Sequence, residues 1–158
     1  MKKLFNFFSV LFFSFSLVSC VPKANVHQIT SGDYLIIGHP GGFTNNPVLT
    51  YYYLNTTQLT KDMAVPYAAV PDDNTKFNFN ASGTAVQYAL VASMLTNIPA
   101  ELLAKNNQNI GGLVPDVGYT DVRARINGVT YKWNFESDQS GSSEAVKVFV
   151  SQANTLFN

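Results

Sequence analysis

The sequence predicts an α+β domain: an antiparallel sheet of about four strands with helices packed on one face. Three observations predict it. Two β-prone runs come early in the chain, an apolar stretch with helical spacing follows, and a pair of alternating segments precedes a last amphipathic helix. The predicted order is strand, strand, helix, helix, strand, strand, helix, which is typical of an antiparallel sheet with its helices on one side.

The first predicted strand pair occupies residues 33–39 and 48–54. Both runs are short, rich in Tyr, Ile, Leu and Val, and bounded by turn residues, which is the usual pattern of a strand. Pro40, Gly41 and Gly42 end the first run because proline and glycine mark turns and loops. The two runs therefore predict a hairpin whose connecting loop is exposed at its tip.

The middle of the chain predicts two helices. Ser82 or Thr84 is the candidate N-cap of the first helix. Its apolar face comprises Val86, Leu90, Val91, Met94 and Leu95. A shorter helix begins near Pro99 and ends within residues 105–112, whereas residues 59–80 are mostly irregular.

The second strand pair is predicted from alternation and from the turn between its strands. Residues 119–126 and 129–135 both alternate in polarity. Asn127-Gly128 between them favours a type I′ turn, because both central positions of that turn need positive φ. A last helix follows, with Ser142 or Ser143 as its N-cap.

Residues 1–19 are predicted to be a lipoprotein signal peptide. Lys2 and Lys3 precede an apolar stretch that is shorter than the ~20 apolar residues of a membrane-spanning helix. Leu-Val-Ser-Cys, ending at Cys20, matches the bacterial lipobox, in which the cysteine thiol is acylated and becomes the first mature residue. Cys20 is therefore the expected lipid attachment site; the alternative is an ordinary signal with an incidental cysteine.

Composition limits the remaining possibilities. Residues 20–31 are a predicted tether and residues 32–158 a single domain, within the usual ~100–200 residues. The full chain has a formal net charge of zero, so losing Lys2 and Lys3 leaves the mature chain about two units negative. Basic residues are sparse and unclustered, and no nucleic acid is expected as a partner.

Enzymatic chemistry is not expected. His27 lies in the predicted tether, and a lone histidine at the end of a strand, such as His39, is more often structural or exposed. The sequence contains no HExxH, GxSxG or phosphate-binding loop. Asp72-Asp73 is interpreted as a solvated turn, because the rest of a calcium-binding EF-hand loop is missing. We therefore expect no catalytic residue, no metal and no cofactor.

Two polar or aromatic clusters have alternative interpretations. Arg123 and Arg125 alternate with apolar residues, which predicts a solvated sheet face or, alternatively, a polar recognition surface. The run Tyr51–Tyr53 places aromatic rings on both faces of one strand. One core ring and two partly exposed rings are expected, and a carbohydrate or protein contact is the alternative.

Several short motifs occur in the order found in a known group of proteins. They are Gly41-Gly42-Phe43-Thr44 between two strands, Ile98-Pro99-Ala100-Glu101-Leu102-Leu103 after a helix, Ile110-Gly111, Pro115-Asp116 and Tyr131-Lys132-Trp133. By these motifs the chain resembles a group of small uncharacterised lipoproteins of the Bacteroidota. It more distantly resembles emfourin-like inhibitors of thermolysin-type metalloproteases, which share a Gly-Gly-Phe loop. Val114-Pro115-Asp116-Val117 stands where lipoprotein relatives have Cys-Pro-Asp-Cys, so a disulfide or metal role there is lost.

The expected function is a lipid-anchored envelope binding protein. The resemblance implies a proteinase inhibitor that acts through the Gly41–Asn46 loop, with contacts from Gly41, Gly42, Phe43, Thr44 and Asn45. In that loop, Phe43 either inserts into a pocket of the partner or folds back onto the core. The alternative is a structural or accessory envelope lipoprotein without inhibitory activity.

The expected partners are the membrane, through the lipid on Cys20, and a protease or another envelope protein. No acidic cluster follows Cys20. In Bacteroidota such clusters tend to accompany export to the outer surface. The resemblance therefore implies an outer-membrane protein that faces the periplasm.

Overall fold

The computed structural model describes residues 28–40, 48–112, 114 and 118–158. These residues form an α+β fold with one seven-stranded sheet and three α-helices. The strands are β1 (Tyr34–Gly38), β2 (Val48–Leu54), β3 (Leu59–Pro66), β4 (Ala81–Ser82), β5 (Gln108–Ile110), β6 (Thr120–Ile126) and β7 (Val129–Phe135). The helices are α1 (Ala85–Val91), α2 (Ala100–Leu103) and α3 (Glu144–Asn154).

The α+β class is confirmed, but the expectation of about four antiparallel strands is wrong. The strand order is β4-β3-β2-β1-β6-β7-β5, and the sheet is mixed because β5 runs parallel to β7. β3 and β4 were not anticipated. β5 lies where the sequence predicted only the end of a helix.

Both predicted strand pairs are confirmed. β1 and β2 pair antiparallel, and β6 and β7 form a tight hairpin in which Ile126 pairs with Val129. Asn127 and Gly128 have φ values of 50° and 81°, as a two-residue turn of this hand requires.

Hydroxyl residues cap the N-termini of α1 and α3, and both are among the predicted candidates. Thr84, rather than Ser82, caps α1, and its hydroxyl accepts from the backbone N–H of Gln87 in a capping box. Ser143 caps α3 by accepting from the N–H of Val146. These bonds satisfy N–H groups that the first turn of a helix leaves without a partner.

The predicted apolar face of α1 is only partly correct. Val91 is buried, as are Met94 and Leu95 beyond it, but Val86 is 71% exposed and Leu90 is 47% exposed. The prediction assumed one continuous helix. The chain instead tightens into a 3₁₀ turn after Val91, and its ~3.0 residues per turn rotate the apolar stripe.

The two faces of the sheet carry different layers. On one face, strand residues such as Leu35, Val122 and Trp133 share a core with all three helices. This confirms that the helices pack on one face. On the other face, Ile36, Tyr51 and neighbouring apolar side chains pack under the irregular segment at residues 67–80. The sheet is therefore covered in part on both sides.

The strand directions give the sheet two distinct ends. We call the end where β1 begins the entry end; it also carries the Asn127-Gly128 turn. Ile29 packs against the core there, and Asp33 accepts from the backbone N–H groups of Thr30 and Asn127, each at 2.8 Å. At the opposite end, which we call the loop end, β1 and β7 finish and β2 and β6 begin.

Candidate functional site

A cleft of about 430 Å³ opens at the loop end of the sheet. Its polar lining includes His39 directly after β1, Thr120 at the start of β6, Glu136 directly after β7, and Lys147 and Asn154 on α3. This volume lies within the ~300–1,000 Å³ range of ligand clefts. The site cannot be recognised from a local sequence pattern, because its walls come from three strand ends and one helix that are far apart in the sequence.

A chain of hydrogen bonds orients His39. The Thr120 hydroxyl donates to Asn154 Oδ1 at 2.7 Å, and His39 Nδ1 lies 3.4 Å from the Thr120 oxygen. Since the only hydroxyl proton of Thr120 is engaged by Asn154, that oxygen accepts from His39, and Nδ1 is assigned the proton. The other ring nitrogen, Nε2, is left as an acceptor.

The environment of His39 favours its neutral form. Partial burial lowers the pKa of His39 below its ordinary value of 6.5. The ring also packs against Phe157, with ring centres 5.6 Å apart. Near neutral pH, His39 therefore supplies an uncharged hydrogen-bonding edge to the cleft.

The arrangement suits binding rather than nucleophilic chemistry. In a nucleophile–base pair the hydroxyl donates to the imidazole, whereas here Thr120 donates away from His39 to Asn154. Lys147 and Glu136 line the same cleft, and no ion pair joins them. The site thus offers one cation, one anion and neutral donors and acceptors. Among the described residues, no group of three or more His, Cys, Asp or Glu side chains could hold a metal ion.

The prediction of a solvated face at Arg123 is wrong. Arg123 and Asp121 are each 2% exposed, and their side chains form an ion pair with Nη2 2.9 Å from Oδ2. Arg123 Nη1 also donates to the Pro71 carbonyl and to Asn74 Oδ1, and its guanidinium lies over the ring of Phe77. Of the two predicted arginines, only Arg125 stays exposed.

Tyr51 completes this buried cluster, because its ring passes over Gly38 and its hydroxyl reaches Asp121. Gly38 lies between Tyr51 and Asp121 in the sheet register, and a Cβ on Gly38 would stand 2.1 Å from the tyrosine ring. The missing side chain lets the Tyr51 hydroxyl donate to Asp121 Oδ2 at 3.1 Å. Burial, and then the charge of Asp121, raise the pKa of Tyr51 well above 10.0, so it remains a donor.

The other predicted clusters are also resolved. Tyr51 and Tyr52 are both buried and only Tyr53 is partly exposed, so the expectation of one core ring is wrong. The solvated turn at Asp72-Asp73 is confirmed: the side chain of Asp72 is fully exposed, and Asp73 accepts from Thr75.

The residues predicted to contact lipid or a partner lie outside the described residues. These are Cys20, Gly41, Gly42, Phe43, Thr44 and Asn45, together with His27 and the predicted signal peptide. The described residues nonetheless fix both ends of the Gly41–Asn46 loop, because it connects β1 to β2 at the loop end. In the described part of the chain, no helix is both long and apolar enough to cross a membrane.

The residues that line the cleft were mostly missed from the sequence. Thr120 and Asn154 are hydrogen-bonded although they are 34 positions apart in the sequence, and no local pattern identifies such a pair.

Comparison with protein-family models, with curated proteins and with solved structures found no match for this chain. The resemblance to Bacteroidota lipoproteins and to emfourin-like inhibitors stays a prediction.

Proposed function

We propose that the protein is a lipid-anchored binding protein of the bacterial cell envelope that engages a partner through the loop end of its sheet. The observation that carries the proposal is the placement of the two sheet ends. The chain enters the domain at Ile29, at the entry end, whereas β1 ends, β2 begins and the His39 cleft opens at the opposite end. In the sequence, Gly41–Asn46 stands between those two strand ends. An anchor before the entry end leaves the loop end facing away from the membrane.

The length of the tether supports this orientation. From Cys20 to Gln28 the chain has eight residue steps, which at ~3.3–3.6 Å each span at most about 29 Å. A lipid on Cys20 would therefore hold the entry end close to the bilayer surface. A partner in the periplasm would meet the loop end first.

The chemistry of the loop end supports a protein partner, with a protease as its most specific form. The cleft at this end of the sheet combines the His39 acceptor with Lys147 and Glu136, which suits main-chain amides and charged side chains of another protein. The orientation of Thr120 toward Asn154 supports a non-enzymatic role at this cleft. The proposed inhibitor would act by occupying the partner's site with the Gly41–Asn46 loop.

The anchor is tested by changing the predicted acylated residue. Cys20→Ala is expected to abolish lipid labelling, because the side chain no longer carries a thiol. In cells given an alkyne-tagged fatty acid, the parent should label and sediment with membranes, whereas the variant should do neither. Equal membrane recovery of both would contradict lipid anchoring, and an unrelated lipoprotein labelled in the same cells controls for uptake.

The partner contact is tested with soluble protein that starts at Lys23 and retains every described residue. Phe43→Ala is expected to weaken capture of a periplasmic or secreted protease about 30-fold or more, the usual cost of ~2 kcal/mol for a central interface aromatic. Binding to the captured protease is measured by calorimetry, and its inhibition by peptide hydrolysis.

Val129→Ala is the matched control for this experiment. It likewise truncates an apolar side chain, one that is half exposed and lies at the entry end of the sheet. Unchanged binding in Val129→Ala together with loss in Phe43→Ala supports the proposal. If the same partners bind the parent and Phe43→Ala equally, the inhibitor proposal fails and an accessory envelope role replaces it.

A further inference from the structure

The last strand of the sheet, β5, has an open edge. Its hydrogen-bonding pattern follows from the register of Ile110 with Phe135 and from the bond between the Ile110 carbonyl and the N–H of Glu136, 2.9 Å long. In a parallel ladder, alternate residues bond to the neighbouring strand, so Gln108 and Ile110 face β7. The N–H and C=O of Asn109 therefore face outward, and Asn109 is exposed.

A cleft of about 290 Å³ lies beside this edge. One wall is formed by β5 and the glycines that follow it. The other wall is formed by Lys105, after α2, and by Ser143 and Val146 at the start of α3. A groove between an edge strand and a helix accommodates an extended peptide, which pairs with the strand and lays alternate side chains against the helix.

In the described part of the chain, the cleft has two charged side chains, Glu101 and Lys105, and only that of Glu101 has a hydrogen-bond partner on a neighbouring element. Glu101 accepts a hydrogen bond from the Ser143 hydroxyl. Among the described residues, no carboxylate lies within ion-pair distance of the Lys105 ammonium. Glu101 keeps its charge, so the described lining has one anion and one cation, and the Lys105 ammonium is the group available to an acidic side chain of a ligand.

The opposite edge of the sheet, formed by β4 and β3, is protected against pairing with another strand. Beside the short strand β4, β3 has a register irregularity in its pairing with β2, and the carboxylate of Asp62 accepts from the N–H groups of Ala64 and Asn78 at 3.0 and 2.7 Å. Bulges and inward-turned charges are devices that protect an edge from pairing. β5 has neither device over its three residues.

We propose that the β5 edge binds an extended segment of a partner polypeptide as an additional strand, in the cleft between β5 and the start of α3. The backbone groups of Asn109 supply the pairing, and Lys105 supplies a preference for an acidic residue. No other class of ligand presents N–H and C=O groups at the spacing of a strand. This surface is separate from the Gly41–Asn46 loop and does not depend on it.

The test uses random 12-residue peptides displayed on phage and selected against the soluble chain from Lys23 to Asn158. We expect enriched sequences that share an acidic residue. Synthetic versions of these peptides are then N-methylated one position at a time. Strand pairing predicts at least tenfold weaker binding on methylation of one N–H, the one that bonds to the Asn109 carbonyl, and little change at the two neighbouring positions, because their N–H groups point away from the strand. Failure to enrich any sequence, or equal losses on N-methylation at every position, overturns the proposal.

Variants of the protein provide the second arm. Asn109→Pro removes the outward N–H and is expected to weaken peptide binding at least tenfold, whereas Asn109→Ala keeps the backbone and should bind like the parent. Circular dichroism checks the fold, and the N-methyl series still tests the proposal if Asn109→Pro does not fold. Equal binding by a folded Asn109→Pro overturns it. A dimer of the parent that dissociates with Asn109→Pro also overturns it, because the occupant is then a second copy of the chain.

Discussion

Replacing Arg123 by methionine is expected to lower the free energy of unfolding by about 3–5 kcal/mol, since it leaves the carboxylate of Asp121 buried without its cation. The variant also loses the bonds that tie the Pro71 carbonyl and Asn74 to the sheet. The measurement is equilibrium urea unfolding followed by circular dichroism.

Two further variants define the cause of that loss. The double variant Arg123→Met with Asp121→Asn is expected to recover part of the stability, because the neutral amide removes the uncompensated charge and its oxygen still accepts from the Tyr51 hydroxyl. Arg125→Met, on the same strand but exposed, should change stability by no more than ~0.5 kcal/mol. A loss below about 1 kcal/mol in the Arg123 single variant would show that the ion pair is not a buried structural unit.

Trp133→Ala is expected to cost about 3–5 kcal/mol, the usual range for truncating a fully buried aromatic side chain. Its ring stacks on Tyr131 with centres 5.4 Å apart, and Nε1 donates to the carbonyls of Leu102 and Lys105 at 3.0 and 2.6 Å. The substitution therefore opens a cavity between β7 and the helices and removes the indole donor from the carbonyls of Leu102, in α2, and Lys105, after it.

The contribution of those hydrogen bonds is separable from packing. Trp133→Phe keeps an aromatic ring but no N–H, and is expected to lose about 1–3 kcal/mol, because the Lys105 carbonyl loses its donor, whereas the Leu102 carbonyl still accepts from the N–H of Lys105. Circular dichroism is required as the probe because Trp133 is the only tryptophan. Val129→Ala, on the same strand but exposed, should stay near the parent. If Trp133→Ala matched Val129→Ala, the core assignment would be wrong.

Local patterns predicted the parts of the fold that depend on local chemistry. The Asn127-Gly128 turn fixed the β6–β7 hairpin, because few residue pairs accept positive φ at both positions. Ser143 capped α3 as its position before the apolar stripe indicated. β1 and β2 were recognisable because their β-prone runs are bounded by turn residues.

β3 and β5 have only weak local sequence patterns. The period of two in β3 is interrupted by its register irregularity, and the buried Asp62 stands where an apolar residue would have indicated a strand. β5 has three residues, two of them polar, and it pairs with β7 after a connection that no local pattern specifies. Parallel pairing in particular leaves no turn signal.

The buried state of Arg123 was unpredictable for a related reason. Alternation along β6 distinguishes polar from apolar side chains, but it does not reveal whether another segment covers the polar face. Here residues 67–80 do so, with carbonyls of the chain itself as partners for the guanidinium. The cleft around His39 was hidden in the same way, because its hydrogen bonds join strand ends to α3.

The central position of β1 has a consequence for the order in which the sheet forms. A chain is synthesised from its N-terminus, so β1 appears early, and β2 and β3 can cover only one of its sides. The other side pairs with β6, as in Leu35 with Ala124, and stays unprotected until late in synthesis. The β6–β7 hairpin, which can close locally in ~1–10 μs, then supplies the missing neighbour as a preformed unit. The interval before its arrival is when a chaperone would be most useful to this protein.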